Sequence, residues 1–216
     1  MAYVIGVDCG TSGTKTVLFD EKGTVISSVT IEYPMYQPKN GYAEQDPADW
    51  ANAMINTIKA VMTKSGVNKE DVAGVGISGQ MHGLVMLDKD NNVLRKSIIW
   101  CDQRTAAEVE EMNEKLGREK LIKITANPAL TGWTAAKILW VKNNEPQNYE
   151  KCRHILLPKD YIRFMLTGEF ATEVSDASGM QLLDIPNRCW SDEVLNKLGI
   201  DKALLAKVYE SPEITG

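Results

Sequence analysis

The chain has few cysteines and histidines, and their positions narrow the kinds of site it can form. It has four cysteines and two histidines in 216 residues. The cysteines are far apart and form no paired metal-ligand spacing; they are Cys9, Cys101, Cys152 and Cys189. Thiols in a reducing compartment are the simplest interpretation, and no basic, apolar leader precedes the first predicted strand. We therefore expect a cytoplasmic protein.

Long hydrophobic runs and basic clusters are also missing from the sequence. No apolar run approaches the roughly 20 residues of a membrane-spanning helix. The formal net charge is −5, and lysine and arginine are scattered along the chain. We therefore expect neither a nucleic acid nor a membrane as partner. Hydrophobic residues make up 44% and charged residues 25% of the chain, as in ordinary globular proteins with a sizeable core.

The most informative segment lies at the start of the chain. Apolar, β-branched residues flank a polar stretch with two glycines, which predicts strands at Tyr3–Asp8 and Thr14–Asp20 joined by a Gly-rich hairpin. A further alternating segment, Thr24–Tyr33, follows a turn at Asp20–Gly23. Together they predict a three-strand antiparallel meander.

The polar hairpin has the composition of a phosphate-binding loop. Glycine at position 10 lets a ligand approach backbone N–H groups, while Thr11, Ser12 and Lys15 add side-chain donors. Asp8 stands at the end of the first strand, where a carboxylate could hold a hydrated magnesium ion. The alternative is an ordinary hairpin with a polar turn, since short Gly-rich motifs often occur by chance.

The rest of the chain alternates between strand and helix signals. Asp46 and Pro47 predict the start of a helix that ends near Gly66, and Val72–Ser78 reads as a buried strand. Further strands are predicted at residues 84–87, 93–94, 97–100 and 154–157, and helices at 105–116, 133–144, 159–167 and 192–198. A meander followed by such alternation predicts a mixed α/β sheet.

Two later turns carry polar groups at strand ends, where α/β folds place substrate contacts. One holds Gln80, Met81 and His82, and the alternative is a turn with a structural histidine. The other follows Trp100 and offers the carboxylate of Asp102 with the guanidinium of Arg104, a set suited to a polyhydroxylated ligand. Its alternative is a helix N-cap beside a surface arginine.

The letters G-x-G-x-x-G also occur, at residues 74–79. The dinucleotide-binding motif needs a strand before the glycines and a helix opening at the third. Here the glycines fall within a predicted strand and another strand follows, so we interpret the match as a chance one.

In their order along the chain these motifs resemble the FGGY carbohydrate kinases. Residues 132–144 fit the first signature of that family at every constrained position, and the resemblance extends from Tyr3 to the last residues. The motifs that carry it are Asp8-x-Gly10-Thr11-Ser12, Gly79-Gln80-Met81-His82-Gly83, Trp100-x-Asp102-x-Arg104, Gly132–Asn144, Leu156–Tyr161, Thr167-Gly168-Glu169 and Ser175–Gly179. Within the family, the Gln-Met-His-Gly turn resembles that of the xylulokinases.

The resemblance implies an actin-like, ribonuclease-H-like domain, and ATP with Mg²⁺ as cofactors. D-xylulose or a related sugar would be the substrate. By position, Asp8 would organise magnesium and phosphate, with Gly10, Thr11, Ser12 and Lys15 in the phosphate loop. The sugar would contact Gln80, Met81, His82, Asp102 and Arg104. His154 matches no family motif and is expected to be structural.

The chain departs from the family in one respect. Family members are longer, and their catalytic base is an aspartate within a Gly-rich segment. No such segment occurs in Asp184–Gly216. We therefore interpret residues 1–216 as most of the N-terminal, sugar-binding domain, with the base and the ATP-binding domain beyond Gly216. The isolated chain is expected to lack useful kinase activity, and an exposed cleft face makes a homodimer conceivable. The alternatives are a kinase for another polyol, such as ribulose or gluconate, and a non-catalytic nucleotide-binding module.

Overall fold

In the computed structural model, which describes residues 2–216, the chain divides into two units. Unit 1 comprises the residues up to Met35 together with Asp46–Gln80, and unit 2 comprises Tyr36–Gln45 and Met81–Gly216. Over the described residues, no helix combines the length and the apolar character needed to cross a membrane.

The chain contains both strands and helices throughout, as the sequence predicts. The strands are β1 Tyr3–Cys9, β2 Gly13–Asp20, β3 Val25–Glu32, β4 Glu44–Gln45, β5 Val72–Gly79, β6 Val85–Leu87, β7 Ser97–Ile98, β8 His154–Leu156, β9 Ala171–Glu173, β10 Leu183–Asp184, β11 Cys189–Trp190 and β12 Lys207–Tyr209. The α-helices are α1 Pro47–Ser65, α2 Ala106–Leu116, α3 Arg118–Thr125, α4 Thr134–Asn144, α5 Pro146–Lys151, α6 Pro158–Thr167, α7 Val174–Ala177 and α8 Asp192–Leu198. The mixed α/β class is confirmed.

Unit 1 is built on a four-stranded sheet in the order β3-β2-β1-β5. Strands β1, β2 and β3 pair antiparallel, which confirms the predicted meander, and β5 runs parallel to β1. Helix α1 packs against β1, β2 and β3. Its Trp50, Met54 and Val61 are fully buried, as their helical spacing predicts.

The ends of α1 follow from local sequence. The side chain of Asp46 accepts a hydrogen bond from the Ala48 amide at 3.0 Å, and Pro47 occupies the first helical position. Gly66 ends the helix with φ of 66°, a left-handed conformation that favours glycine. Both predicted boundaries are confirmed.

Strand β5 is confirmed as a strand, but the prediction that it is buried is wrong. It lies at the edge of the sheet and pairs with β1 alone. Most of its residues are exposed, including Val75 at 46%. Gly74 and Gly76 lie within the strand, and no atom lies within 4 Å of where their Cβ atoms would be. An apolar run therefore marked a strand here without marking its burial.

Unit 2 consists of four two-stranded sheets and seven helices around one hydrophobic core. The sheets pair β4 with β7, β6 with β8 and β10 with β11 antiparallel, and β9 with β12 parallel. The core includes Leu84, Met86, Ile98, Met112, Leu121, Ile138, Leu139, Leu157, Leu182 and Val194. Helix α4 is buried on nearly all sides, which places it at the centre of this unit.

Several predicted boundaries in unit 2 are wrong. Val93 forms only an isolated bridge to Leu87 instead of a strand, and the strand after Arg95 is limited to Ser97–Ile98. Proline at position 146 was expected only to stop a helix, yet it also begins α5, because its fixed φ suits a first helical turn. Helix α3 was not predicted, since its charged surface gives only a weak apolar pattern.

Candidate functional site

In unit 1 the predicted phosphate loop is a tight hairpin between β1 and β2. The Gly10 amide donates to the Gly13 carbonyl at 3.0 Å, which leaves Thr11 and Ser12 at the tip. The Gly10 N–H is therefore engaged inside the loop. A Cβ on Gly13 would stand 2.6 Å from the Ile31 carbonyl oxygen, so this glycine is required by the close approach of β3.

The Gly10 carbonyl anchors the loop through two side-chain hydrogen bonds. It accepts hydrogen bonds from the Tyr33 hydroxyl at 2.5 Å and from the Gln80 side-chain amide at 3.4 Å. The backbone N–H of Gln80 also donates to Cys9 at 2.8 Å. The Gln80 side chain is buried and supports the hairpin through this bond to Gly10, and its predicted contact with the sugar stays a prediction.

Asp8 is exposed near the carboxyl end of β1, with a polar residue opposite it on each side. Its register partners are Lys15 on β2 and Ser78 on β5. Directly paired residues project from the same face of a sheet, so the three exposed side chains form one polar row. Sequence reasoning had not assigned Ser78, whose position depends on the parallel β1–β5 register.

This row fits a magnesium ion held mainly by substrate phosphates. Mg²⁺ in phosphate-transfer sites often takes one or two protein carboxylates and completes its shell with water and phosphate oxygens. Asp8 supplies one such carboxylate. Among the residues that the structure describes, no group of three or more histidine, cysteine or acidic side chains could hold a metal without further ligands.

In unit 2, His82 lies in a strained turn and stacks on Trp133. Its φ is 62°, in the left-handed region that non-glycine residues rarely adopt. The ring centroids are 4.4 Å apart, with planes inclined by 27°. Burial, reinforced by the charge of Lys137, lowers the pKa of His82 to about 4. The imidazole is thus neutral at pH 7, with one N–H donor and one acceptor nitrogen, and its Nδ1 is buried beside Gly179.

Two exposed apolar side chains belong to segments that meet this stack, one beside His82 in the chain and one whose backbone approaches Gly132. Met81 is 47% exposed and Trp100 is 43% exposed. The backbone of Trp100 approaches Gly132, the residue before Trp133. A Cβ on Gly132 would lie 2.8 Å from the Trp100 carbonyl oxygen. Apolar and aromatic surface beside a neutral imidazole suits the mixed C–H and O–H surface of a sugar. Trp133 was not assigned a role from sequence, although it lies within residues 132–144, which match the family signature.

Asp102 and Arg104 lie together in the interior of unit 2, with side-chain exposures of 0% and 1%. Arg104 donates from Nε and Nη2 to Asp102, and its Nη2 also lies 2.8 Å from Glu44. Asp102 in turn accepts from the Ala43 amide at 2.6 Å. The Arg104 guanidinium stacks over Tyr42, 3.8 Å from the ring centroid.

These partners show what the Asp102–Arg104 pair does in the structure. Both side chains are committed to protein groups, so the geometry supports a role in fixing the segment Tyr36–Gln45 rather than a surface for ligands. Neither alternative considered from sequence included such a buried network, because its partners come from a distant part of the chain. Sugar contact by either residue stays a prediction.

A buried cluster of charged side chains anchors the segment Glu173–Gly179, whose last residue contacts His82. Lys159 Nζ lies 2.8 Å from Asp160, 3.3 Å from Glu173 and 3.5 Å from Asp176. Burial raises the pKa of Asp176 to about 7, against the lowering effect of Lys159. The segment continues through α7 to Gly179, where a Cβ would overlap the His82 ring.

His154 has a different environment from His82. Its ring stacks on Phe170, with centroids 3.8 Å apart, and burial lowers its pKa. Such packing fits the structural role expected from its position outside the family motifs.

Comparisons with known proteins agree with these features. The sequence profile of the N-terminal domain of the FGGY family of carbohydrate kinases matches residues 3–216. The xylulose kinase of Bacillus subtilis (strain 168) is 44% identical over 216 residues, which are 100% of this chain and 43% of that protein.

Two solved structures from Lactobacillus acidophilus are similar in fold. A ligand-bound xylulose kinase has a TM-score of 0.93 at 30% identity and covers 100% of this chain and 44% of its own. A gluconate kinase has a TM-score of 0.90 at 32% identity, with 96% of this chain and 42% of its own covered. The chain thus spans less than half the length of these relatives.

These matches, with the β3-β2-β1-β5 sheet, confirm the actin-like, ribonuclease-H-like fold expected from the motifs. The profile match covers nearly the whole chain. The chain therefore belongs to the FGGY family of carbohydrate kinases and carries its N-terminal domain.

Proposed function

We propose that the whole protein phosphorylates D-xylulose with ATP, giving D-xylulose 5-phosphate and ADP. The observation that carries this proposal is the 44% identity with a xylulose kinase across the complete chain. The oxygen of a terminal sugar hydroxyl forms a bond to the γ-phosphorus. The bond from that phosphorus to the bridging oxygen of ADP breaks, and the hydroxyl proton leaves to a base.

The residues of unit 1 would act on the phosphate side of this reaction. Phosphoryl transfer depends mainly on positioning and on neutralising charge around the transferred group. Asp8 would hold Mg²⁺, which supplies charge stabilisation at the phosphate oxygens when bound. Lys15 would add positive charge in the same row, while Thr11 and Ser12 present hydroxyls at the loop tip. Gln80 would keep the loop in place through its bond to Gly10.

The residues of unit 2 would act on the sugar side. The neutral ring of His82 would exchange hydrogen bonds with sugar hydroxyls, and Met81 would cover the apolar part of the carbon chain. Trp133 would set the orientation of the His82 ring by stacking. Asp102 and Arg104 would support this region from inside the unit. Use of ATP, a cytoplasmic location and a homodimer belong to the same proposal.

The main alternative to this proposal is a different sugar substrate, because a gluconate kinase is also similar in fold. The test is a coupled assay of the whole protein with D-xylulose, D-ribulose, gluconate and glycerol at equal concentrations. We expect the highest kcat/KM for D-xylulose. Preference for another sugar would replace the substrate but keep the family activity.

A non-catalytic nucleotide-binding module is the rival of a different class. A thermal shift experiment with ATP alone, D-xylulose alone and both together separates it from a kinase. Stabilisation by D-xylulose supports the kinase. Stabilisation by nucleotide alone, with no phosphorylated product from any sugar in the panel, would contradict the proposal.

A further inference from the structure

Lys137 is an ionisable residue at the centre of a buried helix, and burial lowers the pKa of its side-chain amine to about 7. It lies in α4 and its side chain is fully buried. Burying an ammonium group is unfavourable unless hydrogen bonds replace its water. Lys137 meets this condition by donating to the carbonyl oxygens of His82 and Gly132, each at 2.7 Å.

The two carbonyl groups belong to the two segments that form the aromatic stack. One is that of His82 itself, in the strained turn after β5. The other immediately precedes Trp133, the stacking partner of His82. A single side-chain nitrogen, Nζ of Lys137, therefore joins the backbone segments that carry both rings. Thr134 adds a second, weaker link by donating its hydroxyl to the same His82 carbonyl at 3.1 Å.

We propose that Lys137 is a positioning residue for sugar recognition, which holds the His82 and Trp133 rings in their stacked arrangement. This inference rests on the proposed function of the His82 turn. Because its side chain has no exposed surface, Lys137 acts through the two backbone segments and does not touch the sugar. Loss of its two bonds frees a turn whose left-handed backbone is disfavoured for histidine, so the ring leaves its place.

Lys137→Met in the whole protein is the main test, because methionine fills similar space without a donor. Lys142→Met is the matched control, since Lys142 lies on the same helix and donates to a backbone carbonyl, that of Gly199, at 2.6 Å. We expect Lys137→Met to raise the KM for D-xylulose about tenfold, equivalent to about 1.4 kcal/mol. The KM for ATP in this variant, and both constants in Lys142→Met, should stay within about twofold of wild type.

An NMR measurement reads the position of His82 without any sugar. The carbon-bound ring protons of His82 lie against Trp133, and the aromatic ring shifts their resonances. Lys137→Met should move these resonances towards those of a free histidine, and Lys142→Met should not. This reading holds even if the wild-type protein phosphorylates none of the sugars tested, so failure of the proposed function is distinguished from failure of this inference.

Lys137→Gln keeps the inference testable if Lys137→Met does not fold, because its amide nitrogen ends one atom short of the Nζ position. Thr134→Val removes the weaker link to the His82 carbonyl and leaves both bonds of Lys137, so we expect a smaller change in the same direction in the His82 resonances and in the KM for D-xylulose. A folded Lys137→Met with unchanged His82 resonances and unchanged KM for D-xylulose would overturn the inference. If Lys137→Met is unfolded, the same unchanged readings in a folded Lys137→Gln would overturn it.

Discussion

Gly179 lies directly against the imidazole of His82, and a side chain at position 179 would overlap ring atoms Cε1 and Nδ1. The ring thus stacks on Trp133 while Gly179 lies against its Cε1–Nδ1 edge, and the same Cβ would stand 3.6 Å from Trp133 Cζ3. Gly179 follows α7, whose first residues are anchored by the cluster around Lys159. The absence of a side chain at position 179 is therefore part of how the candidate sugar site is shaped.

Gly179→Ala should displace the His82 ring. Overpacking at such a contact costs about 1–3 kcal/mol of stability, and here the nearest atoms belong to a ring held by stacking. We expect a raised KM for D-xylulose and shifted His82 ring resonances in the NMR spectrum. Gly74→Ala is the control, because its Cβ would enter open space. Equal behaviour of the two variants would show that His82 is not confined as described.

Asp8→Asn should abolish most of the kinase activity of the whole protein while leaving sugar binding intact. The substitution keeps the shape of the side chain but removes the charge that would hold the metal, and loss of one preorganised electrostatic group costs about 10²–10³ in kcat. Steady-state assays at saturating Mg²⁺ measure the effect. Asp90→Asn is the control, since the Asp90 carboxylate is exposed and pairs with Lys89 on the surface. A kcat near the wild-type value would remove Asp8 from the mechanism.

Arg104→Met should destabilise unit 2 strongly. It leaves the fully buried carboxylate of Asp102 without its partner, and breaking a buried ion pair costs about 3–5 kcal/mol. Urea unfolding followed by circular dichroism measures the loss. Lys202→Met breaks the exposed pair with Asp192 and should cost at most about 1 kcal/mol. Similar midpoints for the two variants would contradict the structural role of Arg104.

Asp176 should make the free energy of unfolding depend on pH. Its folded pKa is raised from 3.8 to about 7, mainly by burial, so the folded state binds more protons than the unfolded state between these values. The stabilisation from this group is complete below pH 3.8 and is lost as pH rises through 7. Urea unfolding at pH 5 and pH 8 should show a larger loss for the wild type than for Asp176→Asn.

The matched control for this pH experiment is Asp192→Asn, which changes an exposed carboxylate. It should keep the wild-type difference between the two pH values. If Asp176→Asn also keeps that difference, the carboxyl of Asp176 is ionised in the folded protein at both.

Elements set by neighbouring residues could be predicted from sequence. The β1–β2 hairpin and helix α1 carry their own signals, namely the polar Gly-rich loop, the Asp46 cap and the closing Gly66. The exposure of β5 could not be predicted, because it depends on which strands pair beside it. The same apolar pattern occurs in strands at the edge of a sheet and in strands at its centre, so it does not distinguish the two positions.

The sequence predicted which segments form the candidate sites, but not how the side chains of these segments contact one another. The motifs predicted a phosphate-binding role for the β1–β2 hairpin and a sugar contact at the His82 turn, but only the fold shows that Gln80 bonds to the hairpin at Gly10. The buried state of Arg104 depends on Tyr42 and Glu44, more than fifty residues earlier in the chain. Contacts over such distances leave no local pattern that a sequence window could detect.

The division of the chain between the units has a consequence for the order in which they can form during synthesis. Every residue of unit 1 has left the ribosome's active centre once Gln80 has been added. The segment Tyr36–Gln45 must wait longer, because Arg95 and Arg104, the partners of Glu44, are added later. A nascent chain can therefore complete the four-stranded sheet of unit 1 while the partners of Tyr36–Gln45 have not yet been synthesised. The buried charges of unit 2 meet only after the meander and its helix have been made.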